Sequence, residues 1–156
     1  MTEKRIAIVT GGASGIGFGI SEALVKAGYV VVLVGRNEER LAEAAERLGP
    51  AAQWRRADVG CRSDVEDAFS GFSRIDVLVN AAGFIRPVSL ATPVDEAEQN
   101  WDAVVAANLK GSFLATMIAA PKLVSPGGRV INISSIGAQT GGSRAGGLAY
   151  AASKAG

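Results

Sequence analysis

The feature that most constrains the fold is a glycine-rich turn near the N-terminus, placed between a strand pattern and a helix pattern. Residues 5–10 form a short β-branched run, Gly11-Gly12-Ala13-Ser14-Gly15-Ile16-Gly17 follows it directly, and a helical pattern runs from Phe18 to Ala27. Glycine lets backbone N–H groups approach a phosphate closely, and the N-terminus of the following helix adds a partial positive charge. A strand, a glycine turn and a helix in this order predict a loop that binds the pyrophosphate of a dinucleotide, and the alternative is an ordinary tight turn.

The rest of the chain alternates apolar runs with polar helical segments, which indicates βαβ units and a parallel sheet buried on both faces. Asn37 is a predicted N-cap, and Gly49-Pro50 is a predicted helix stop. The pattern predicts an α/β protein with a doubly wound parallel sheet (a Rossmann fold) of strand order 3-2-1-4-5, in one domain over residues 1–156. Strands are predicted near 5–10, 29–35, 52–57, 75–80 and 128–134, and helices near 15–27, 37–48, 62–70, 95–120 and from about 148 onward.

Composition limits the classes of function. The 156 residues are 48% hydrophobic with a formal net charge of +1, which predicts a soluble globular chain without a nucleic-acid partner. No apolar run reaches about eighteen residues and the N-terminus has no signal-type segment, so we expect no membrane partner and a cytoplasmic location. Since the chain has no histidine and Cys61 is its single cysteine, neither a Ser-His-Asp hydrolase nor a metal site is predicted.

A tyrosine and a lysine, Tyr150 and Lys154, lie four positions apart at the end of the chain. On a helix this spacing puts both side chains on one face, where an ammonium about 4 Å away lowers the pKa of a phenol. A phenol that titrates closer to neutrality can donate and accept a proton. Any amphipathic helix can carry this pair, so its weight depends on the other motifs.

Three motifs in this order resemble the short-chain dehydrogenase/reductase family. They are a Thr-Gly-x-x-x-Gly-x-Gly loop with Gly11, Gly15 and Gly17, the run Asn80-Ala81-Ala82-Gly83, and the Tyr150/Lys154 pair. The resemblance runs from about Arg5 to Gly156 and reaches about the first three-fifths of a typical member. It implies that the C-terminal strands and a substrate-covering segment are missing, so we expect a truncated N-terminal portion. Many members have a second asparagine where Ala81 stands.

Cofactor preference follows from the end of the second predicted strand. Gly35 and Arg36 stand where an acidic residue would grip the ribose hydroxyls of NAD. Because Arg36 can meet a 2′-phosphate with a charge-assisted contact, NADP is favoured and NAD is less expected. The alternative is that Arg36 only begins a solvated helix.

The resemblance implies that Asp58 and Val59 contact adenine, although Asp58 can also cap a turn. Asn80 is expected to tie neighbouring strands together through side-chain hydrogen bonds. The predicted cofactor-binding residues are Gly11, Ala13, Ser14, Gly15, Ile16, Gly17, Arg36, Asp58, Val59, Asn80, Ala81, Ala82, Gly83, Tyr150 and Lys154.

The resemblance also implies four catalytic residues, namely Asn108, Ser135, Tyr150 and Lys154. Ser135 would orient a substrate carbonyl oxygen, Tyr150 would transfer the proton, and Lys154 would hold the nicotinamide ribose. Asn108 would anchor a water that leads to solvent, or else it is a buried amide that satisfies backbone groups. The glycine-rich stretch 141–147 makes the distance from Ser135 to Tyr150 about two residues longer than is common, and we expect a loop there. Lys154 lies so near the C-terminus that a frayed helix end is expected.

The favoured function is therefore that of an NADP-dependent oxidoreductase that interconverts a carbonyl and a secondary alcohol by hydride transfer. The expected substrate is a 3-oxoacyl thioester or a small ketone or alcohol, and a homodimer or homotetramer is expected at full length. One alternative is a catalytically inactive dinucleotide-binding module or remnant, since the fragment alone is expected to be inactive. Another is an α/β scaffold that binds no nucleotide. Phe84, Ile85 and Arg86 are expected to border the site.

Overall fold

The computed structural model describes residues 4–142 and 146–156. Two sequence interpretations fall partly outside this range: the first three residues of the N-terminus, and Ser143, Arg144 and Ala145 of the predicted glycine-rich loop. The strands are β1 (Arg5–Thr10), β2 (Tyr29–Gly35), β3 (Ala52–Arg56), β4 (Val77–Asn80) and β5 (Arg129–Asn132). The helices are α1 (Gly15–Lys26), α2 (Glu38–Leu48), α3 (Arg62–Ser70), α4 (Val94–Val105), α5 (Gly111–Ala119), α6 (Gly137–Thr140) and α7 (Leu148–Ala155), with a π-helical turn (Ala106–Lys110) and a 3₁₀ turn (Ala120–Lys122).

The five strands form one parallel sheet of order β3-β2-β1-β4-β5, which confirms the predicted doubly wound order. Residue Thr10 at the end of β1 is level with Val34 of β2 and with Asn80 of β4. Asn80 is in turn level with Asn132 of β5. Because all the strands are parallel, their carboxyl ends lie at one edge of the sheet, and the loops that follow them meet there.

Two apolar layers cover the two faces of the sheet. Ile8 of β1 lies in one layer with Phe69 of α3 and Ala115 of α5. Val9, the next residue, lies in the other layer with Leu41 of α2. Successive strand residues point to opposite faces, so a continuous apolar run is what a sheet with helices on both sides requires.

The helix ends of α2 follow the predicted capping chemistry. Asn37 is its N-cap, and its Oδ1 accepts a hydrogen bond from Arg40 N at 2.9 Å. Gly49 ends the helix with a φ of +83°, which glycine adopts without steric cost.

Two element boundaries differ from the predictions for physical reasons. β4 begins at Val77 rather than near residue 75, because Ile75 makes only an isolated bridge to Leu123. β5 ends at Asn132 rather than near residue 134, and the short helix α6 follows where no element was predicted. Both departures lie next to loops, where tertiary contacts outweigh the local pattern.

The segment predicted as a helix over 95–120 is a helical run from Val94 to Lys122, which is long and apolar enough to cross a membrane by length and composition. The sequence interpretation, which looked for an unbroken apolar run, did not recognise this. A core helix of a soluble protein passes the same test. In this fold Val104, Ala115 and Ala119 are fully buried and belong to apolar clusters of the domain.

The start of β1 is held by a carboxylate that precedes β4. Asp76 Oδ2 accepts a hydrogen bond from Ile6 N at 2.8 Å, and Asp76 Oδ1 pairs with Arg74 Nη2 at 2.9 Å. The hydrogen bond from Arg74, followed by that from Ile6, holds the pKa of the Asp76 carboxyl below its ordinary value. The ionised carboxylate therefore stabilises the fold above about pH 4, and this contribution is lost as the pH falls through the lowered pKa.

We expect Asp76→Asn to lower the free energy of unfolding at pH 7 by about 1–3 kcal/mol, the usual worth of hydrogen bonds to a charged group. Urea unfolding at pH 7 and near pH 2 measures this, and the gap between variant and wild type should shrink at the lower pH. Asp102→Asn, at an exposed site on α4, is the control. A loss that is the same at both pH values would contradict the role of the ionised carboxylate.

Candidate active site

The glycine turn between β1 and α1 leaves no room for side chains on its inner side. Gly11 and Gly15 have positive φ angles of +68° and +53°. A Cβ atom on Gly17 would lie 2.2 Å from the Gly11 carbonyl oxygen, and one on Gly11 would lie 2.8 Å from Ala82 Cα. Ser14 is the N-cap of α1, but its side chain makes no capping hydrogen bond. The first turn of α1 thus keeps its N–H groups for another acceptor, as phosphate-binding helix starts do.

The loop after β4 is held against this turn by Thr10. The buried Thr10 Oγ1 accepts hydrogen bonds from Ala81 N and Ala82 N, both at 3.2 Å. The residue that follows, Gly83, is just as confined, since a Cβ there would lie 3.0 Å from Asn108 Oδ1. Glycine is therefore required at Gly11, where the loops after β1 and β4 touch, and at Gly83, where the loop after β4 meets Asn108.

Asn80 ties β4 to its neighbours, as the sequence predicted. Its Nδ2 donates to Asn132 Oδ1 of β5 at 2.8 Å and to Thr116 Oγ1 of α5 at 3.1 Å. Its Oδ1 is buried and has no hydrogen-bond partner within the described part of the chain. The side chain joins the strand that carries the Asn-Ala-Ala-Gly run to the strand that leads to Ser135.

A cavity of about 280 Å³ lies at the carboxyl edge between β1, β2 and β4. It brings together most of the predicted cofactor-binding residues from four separate loops. Its walls include Gly11, Ala13, Ser14, Arg36, Asp58, Val59, Ala82 and Gly83. Gly15 and Gly17 belong to the adjoining turn and helix start, Ile16 is 69% exposed there, and Asn80 and Ala81 lie behind the wall in β4 and its loop.

Arg36 and Asp58 face each other across this cavity. Arg36 Nη1 lies 3.9 Å from Asp58 Oδ2, and the two side chains are 60% and 44% exposed, so the ion pair is weak. Asp58 also has the turn role that the sequence left open, because its Oδ1 accepts from Gly60 N at 2.9 Å. Its own N–H donates to Asp64 Oδ2, and this hydrogen bond is the main cause that holds the pKa of Asp64 below its ordinary value.

Asn108 lies in the π-helical turn between α4 and α5 and is almost fully buried. Its Oδ1 accepts from Phe84 N, and its Nδ2 donates to Phe84 O, both at 3.0 Å. The same Nδ2 donates to Ser153 Oγ at 3.1 Å. The backbone-satisfying alternative for Asn108 is therefore present in the structure, and its amide connects the loop after β4 to α7.

The structure places Lys154 in the last turn of α7, which ends at Ala155. Lys154 Nζ donates to Ile133 O at 2.7 Å and lies 5.9 Å from the centre of the Tyr150 ring. Ser134 Oγ donates to Lys154 O at 2.9 Å, so the loop after β5 holds both ends of this residue. Burial lowers the pKa of the Lys154 ammonium.

Ser135 and Tyr150 meet beside Gly137, the first residue of α6. Ser135 Oγ accepts from Gly137 N at 3.1 Å. A Cβ atom placed on Gly137 would lie 3.5 Å from Ser135 Oγ and 4.0 Å from Tyr150 Cε1. Helix α6 therefore leads the chain from β5 back towards Tyr150. Ser135 and Tyr150 lie close together although their separation in the sequence is about two residues longer than is common.

Three polar residues of this site were missed by sequence reasoning. Thr10 holds the loop after β4 against the glycine turn, while Ser134 and Ser153 hold α7. Thr10 precedes the glycine run and Ser153 lies between Tyr150 and Lys154, so their motifs offered a signal. Among the residues that the structure describes, no group of three or more histidine, cysteine or acidic side chains could hold a metal ion.

The parallel sheet and the glycine turn at its carboxyl edge define a Rossmann-type protein. The chain belongs to the short-chain dehydrogenase family, whose model, described as short chain dehydrogenase, matches residues 5–156. L-fucose dehydrogenase of Bos taurus is 36% identical over 154 residues, which are 96% of this chain and 55% of that protein.

Solved structures agree with this assignment. A short chain dehydrogenase/reductase family protein has a TM-score of 0.86 at 30% identity over 98% of this chain and 63% of its own. The closed form of serine dehydrogenase complexed with NADP⁺ has a TM-score of 0.80 at 31% identity over 96% of this chain and 61% of its own. The chain thus spans about three-fifths of the length of these relatives.

Proposed function

We propose that this chain is the dinucleotide-binding and catalytic part of an NADP-dependent oxidoreductase that interconverts a carbonyl and a secondary alcohol. The observation that carries the proposal is that two groups of residues lie at the carboxyl edge of the same sheet. One is the cavity formed by the glycine turn, Arg36 and Asp58, and the other is the set formed by Ser135, Tyr150 and Lys154. We propose a 3-oxoacyl thioester or a small ketone or alcohol as the substrate.

The residues present fit a dinucleotide. A Cβ on Gly11 or Gly17 would fill the inner side of the turn, and the N–H groups of the first turn of α1 have no side-chain cap from Ser14. These groups would hold the pyrophosphate, while Asp58 and Val59 would contact adenine and Arg36 would meet a 2′-phosphate. Lys154 would hold the nicotinamide ribose. When bound, the nicotinamide supplies or accepts the hydride.

The proton chemistry falls to the chain itself. Tyr150 would donate its phenolic proton to the substrate oxygen in the reductive direction and take it back in the oxidative direction. Ser135 Oγ would donate a hydrogen bond to the same oxygen as its charge develops. Burial lowers the pKa of the Lys154 ammonium, which lies 5.9 Å from the centre of the Tyr150 ring. Asn108 would anchor a water beyond Lys154.

Binding and turnover are tested separately. Titration of NADPH with the chain is followed by nicotinamide fluorescence, and NADPH oxidation is then measured across a panel of ketones and 3-oxoacyl thioesters. Saturable binding with turnover supports the proposal. Binding without turnover favours the catalytically inactive dinucleotide-binding module. If NADPH does not bind, only the third interpretation remains, that of an α/β scaffold that binds no nucleotide.

Cofactor choice is tested at Arg36. We expect Arg36→Ala to weaken NADPH binding about 10- to 100-fold and NADH binding by less than about threefold, because only NADPH has the 2′-phosphate that a guanidinium can grip. Arg36 Cζ lies 5.3 Å from the centre of the Phe84 ring. Arg47→Ala is the matched control, since Arg47 of α2 lies in the same way 4.3 Å from the centre of the Phe18 ring and outside the walls of the cavity. Equal losses for the two nucleotides at Arg36 would refute the phosphate contact.

We further propose a homodimer or homotetramer for the full-length protein. The large apolar side chains of Trp101, Phe113 and Met117 are 41%, 59% and 58% exposed along the α4–α5 run, which is a surface suited to a second copy. Native mass spectrometry that found only monomers would exclude this. A cytoplasmic location remains a prediction, which fractionation of the source cells would test.

A further inference from the structure

We propose that the ring of Phe84 is the surface on which the adenine of the dinucleotide lies, and that the Arg36 guanidinium yields this place when the nucleotide binds. The proposal rests on the function proposed above and assigns a recognition residue to it. Phe84 was expected only to border the site. The structure places it in the wall of the same cavity as Arg36, Asp58 and Val59.

Two charged and flexible side chains, those of Arg36 and Arg86, lie over the Phe84 ring. Arg36 Cζ lies 5.3 Å from the ring centre, and Arg86 Cζ lies 5.6 Å from it. The Arg36 side chain is 60% exposed, and its partner Asp58 is 44% exposed. Contacts of this kind contribute little at exposed positions, so a flat ligand can replace the guanidinium at small cost.

The backbone of Phe84 is held much more firmly than the side chains of Arg36 and Arg86. Both its N–H and its carbonyl are bonded to the buried amide of Asn108 at 3.0 Å. The ring also packs against an apolar cluster of Val88, Val104 and Ala149. An aromatic ring that is firmly held by its backbone and its apolar neighbours, and contacted only by exposed guanidinium groups, is preorganised for a planar partner.

The groups around the ring match a purine more closely than another planar group. Asp58 Oδ2 stands 3.9 Å from the guanidinium that lies over Phe84, so a carboxylate lies close to whatever replaces that guanidinium. A purine that carries an amino group can donate to this carboxylate while its face lies on the ring. Arg36, once displaced, is free to meet a phosphate on the adjoining ribose.

The experiment compares ligands with and without adenine on variants of Phe84. The probes are adenosine 2′,5′-bisphosphate and reduced nicotinamide mononucleotide, and their affinities are measured by calorimetry. Cys61 is the single cysteine and shares a cavity wall with Phe84 and Arg86, so its protection from a thiol reagent by the bisphosphate provides a second readout. Neither readout needs turnover.

We expect Phe84→Leu to lower the affinity for adenosine 2′,5′-bisphosphate about tenfold, since the stacking of the base on the ring is lost. The affinity for reduced nicotinamide mononucleotide should change by less than about twofold. Phe84→Tyr keeps the ring and should bind both probes as the wild type does. Phe72→Leu is the matched control, because Arg55 Cζ lies 5.9 Å from the centre of the Phe72 ring and Phe72 lies outside the walls of the cavity that contains Arg36 and Asp58.

The outcomes separate the two proposals. Wild-type binding of NADPH and of the bisphosphate, with an unchanged affinity in Phe84→Leu, would overturn the role of Phe84 and leave the proposed function standing. Equal losses for both probes would also overturn it, because they would indicate a general collapse of the site. A wild type that binds no adenine nucleotide at all would remove the proposed function together with this inference.

Discussion

Replacement of Tyr150 by phenylalanine is expected to lower turnover by about a thousandfold while NADPH affinity changes by less than about twofold. A positioned acid or base contributes about 10²- to 10⁴-fold to a rate, and phenylalanine cannot supply the proton. The ring itself should stay in place, because Tyr150 packs against the cluster of Val88, Val104 and Ala149 through its carbon atoms. The measurement is NADPH oxidation with a substrate found in the carbonyl panel, together with a fluorescence titration of NADPH.

The chain offers a matched control for this change. Tyr29 is its only other tyrosine, and its hydroxyl accepts from Arg5 Nη1 at 3.3 Å at the amino end of β2. Tyr29→Phe removes the same oxygen far from Ser135 and Lys154 and should leave turnover unchanged. If Tyr150→Phe retained wild-type activity, the tyrosine would have no part in the chemistry, and the proton would have to come from another group.

The second large effect is expected at Gly17. An alanine there would place its Cβ 2.2 Å from the Gly11 carbonyl oxygen and 2.8 Å from the Gly11 carbonyl carbon, both of them backbone atoms. A backbone contact of this kind cannot be relieved by a rotamer change, so the turn itself must shift. We expect Gly17→Ala to lower the free energy of unfolding by about 2–3 kcal/mol and to lower the affinity for NADPH more than about a hundredfold.

Gly19→Ala separates the clash from the general effect of alanine in a helix. Gly19 is exposed in the same helix, α1, and a Cβ there meets nothing within 4 Å. Because alanine is favoured over glycine in helices by about 0.5–1 kcal/mol, this control should be neutral or slightly more stable. Thermal unfolding and NADPH titration are measured on both variants. Wild-type binding by Gly17→Ala would mean that the turn does not hold the pyrophosphate.

Several parts of the molecule followed from local patterns. The β-branched run of β1, the glycine turn and the capping residue Asn37 all lie where the sequence placed them. Each of these depends on interactions within a few residues: alternation along a strand, the φ freedom of glycine, and a side-chain oxygen that meets a nearby N–H. The strand order could also be predicted, because alternating strand and helix patterns with a glycine-rich turn after the first strand suit a doubly wound sheet of order 3-2-1-4-5.

Other parts depended on contacts between residues far apart in the chain. Helix α6 had no clear pattern, since it is one turn of four residues between Ser135 and the glycine-rich loop. The bond between Asn108 and Ser153, 45 residues apart, arises only because α7 packs against the π-helical turn. Likewise, nothing in the runs around Arg36 and Phe84 indicated that a guanidinium from the end of β2 would lie on a ring from the loop after β4.

The sequence by itself determined the α/β architecture, the parallel sheet and the glycine turn between β1 and α1, because these depend on periodicity and on backbone freedom over short stretches. Only the tertiary structure decided which side chains share one cavity and how α7 is held beside β5. Those outcomes depend on strand neighbours and on distances of a few ångströms between separate loops. Such distances are set when the two apolar layers pack against the sheet.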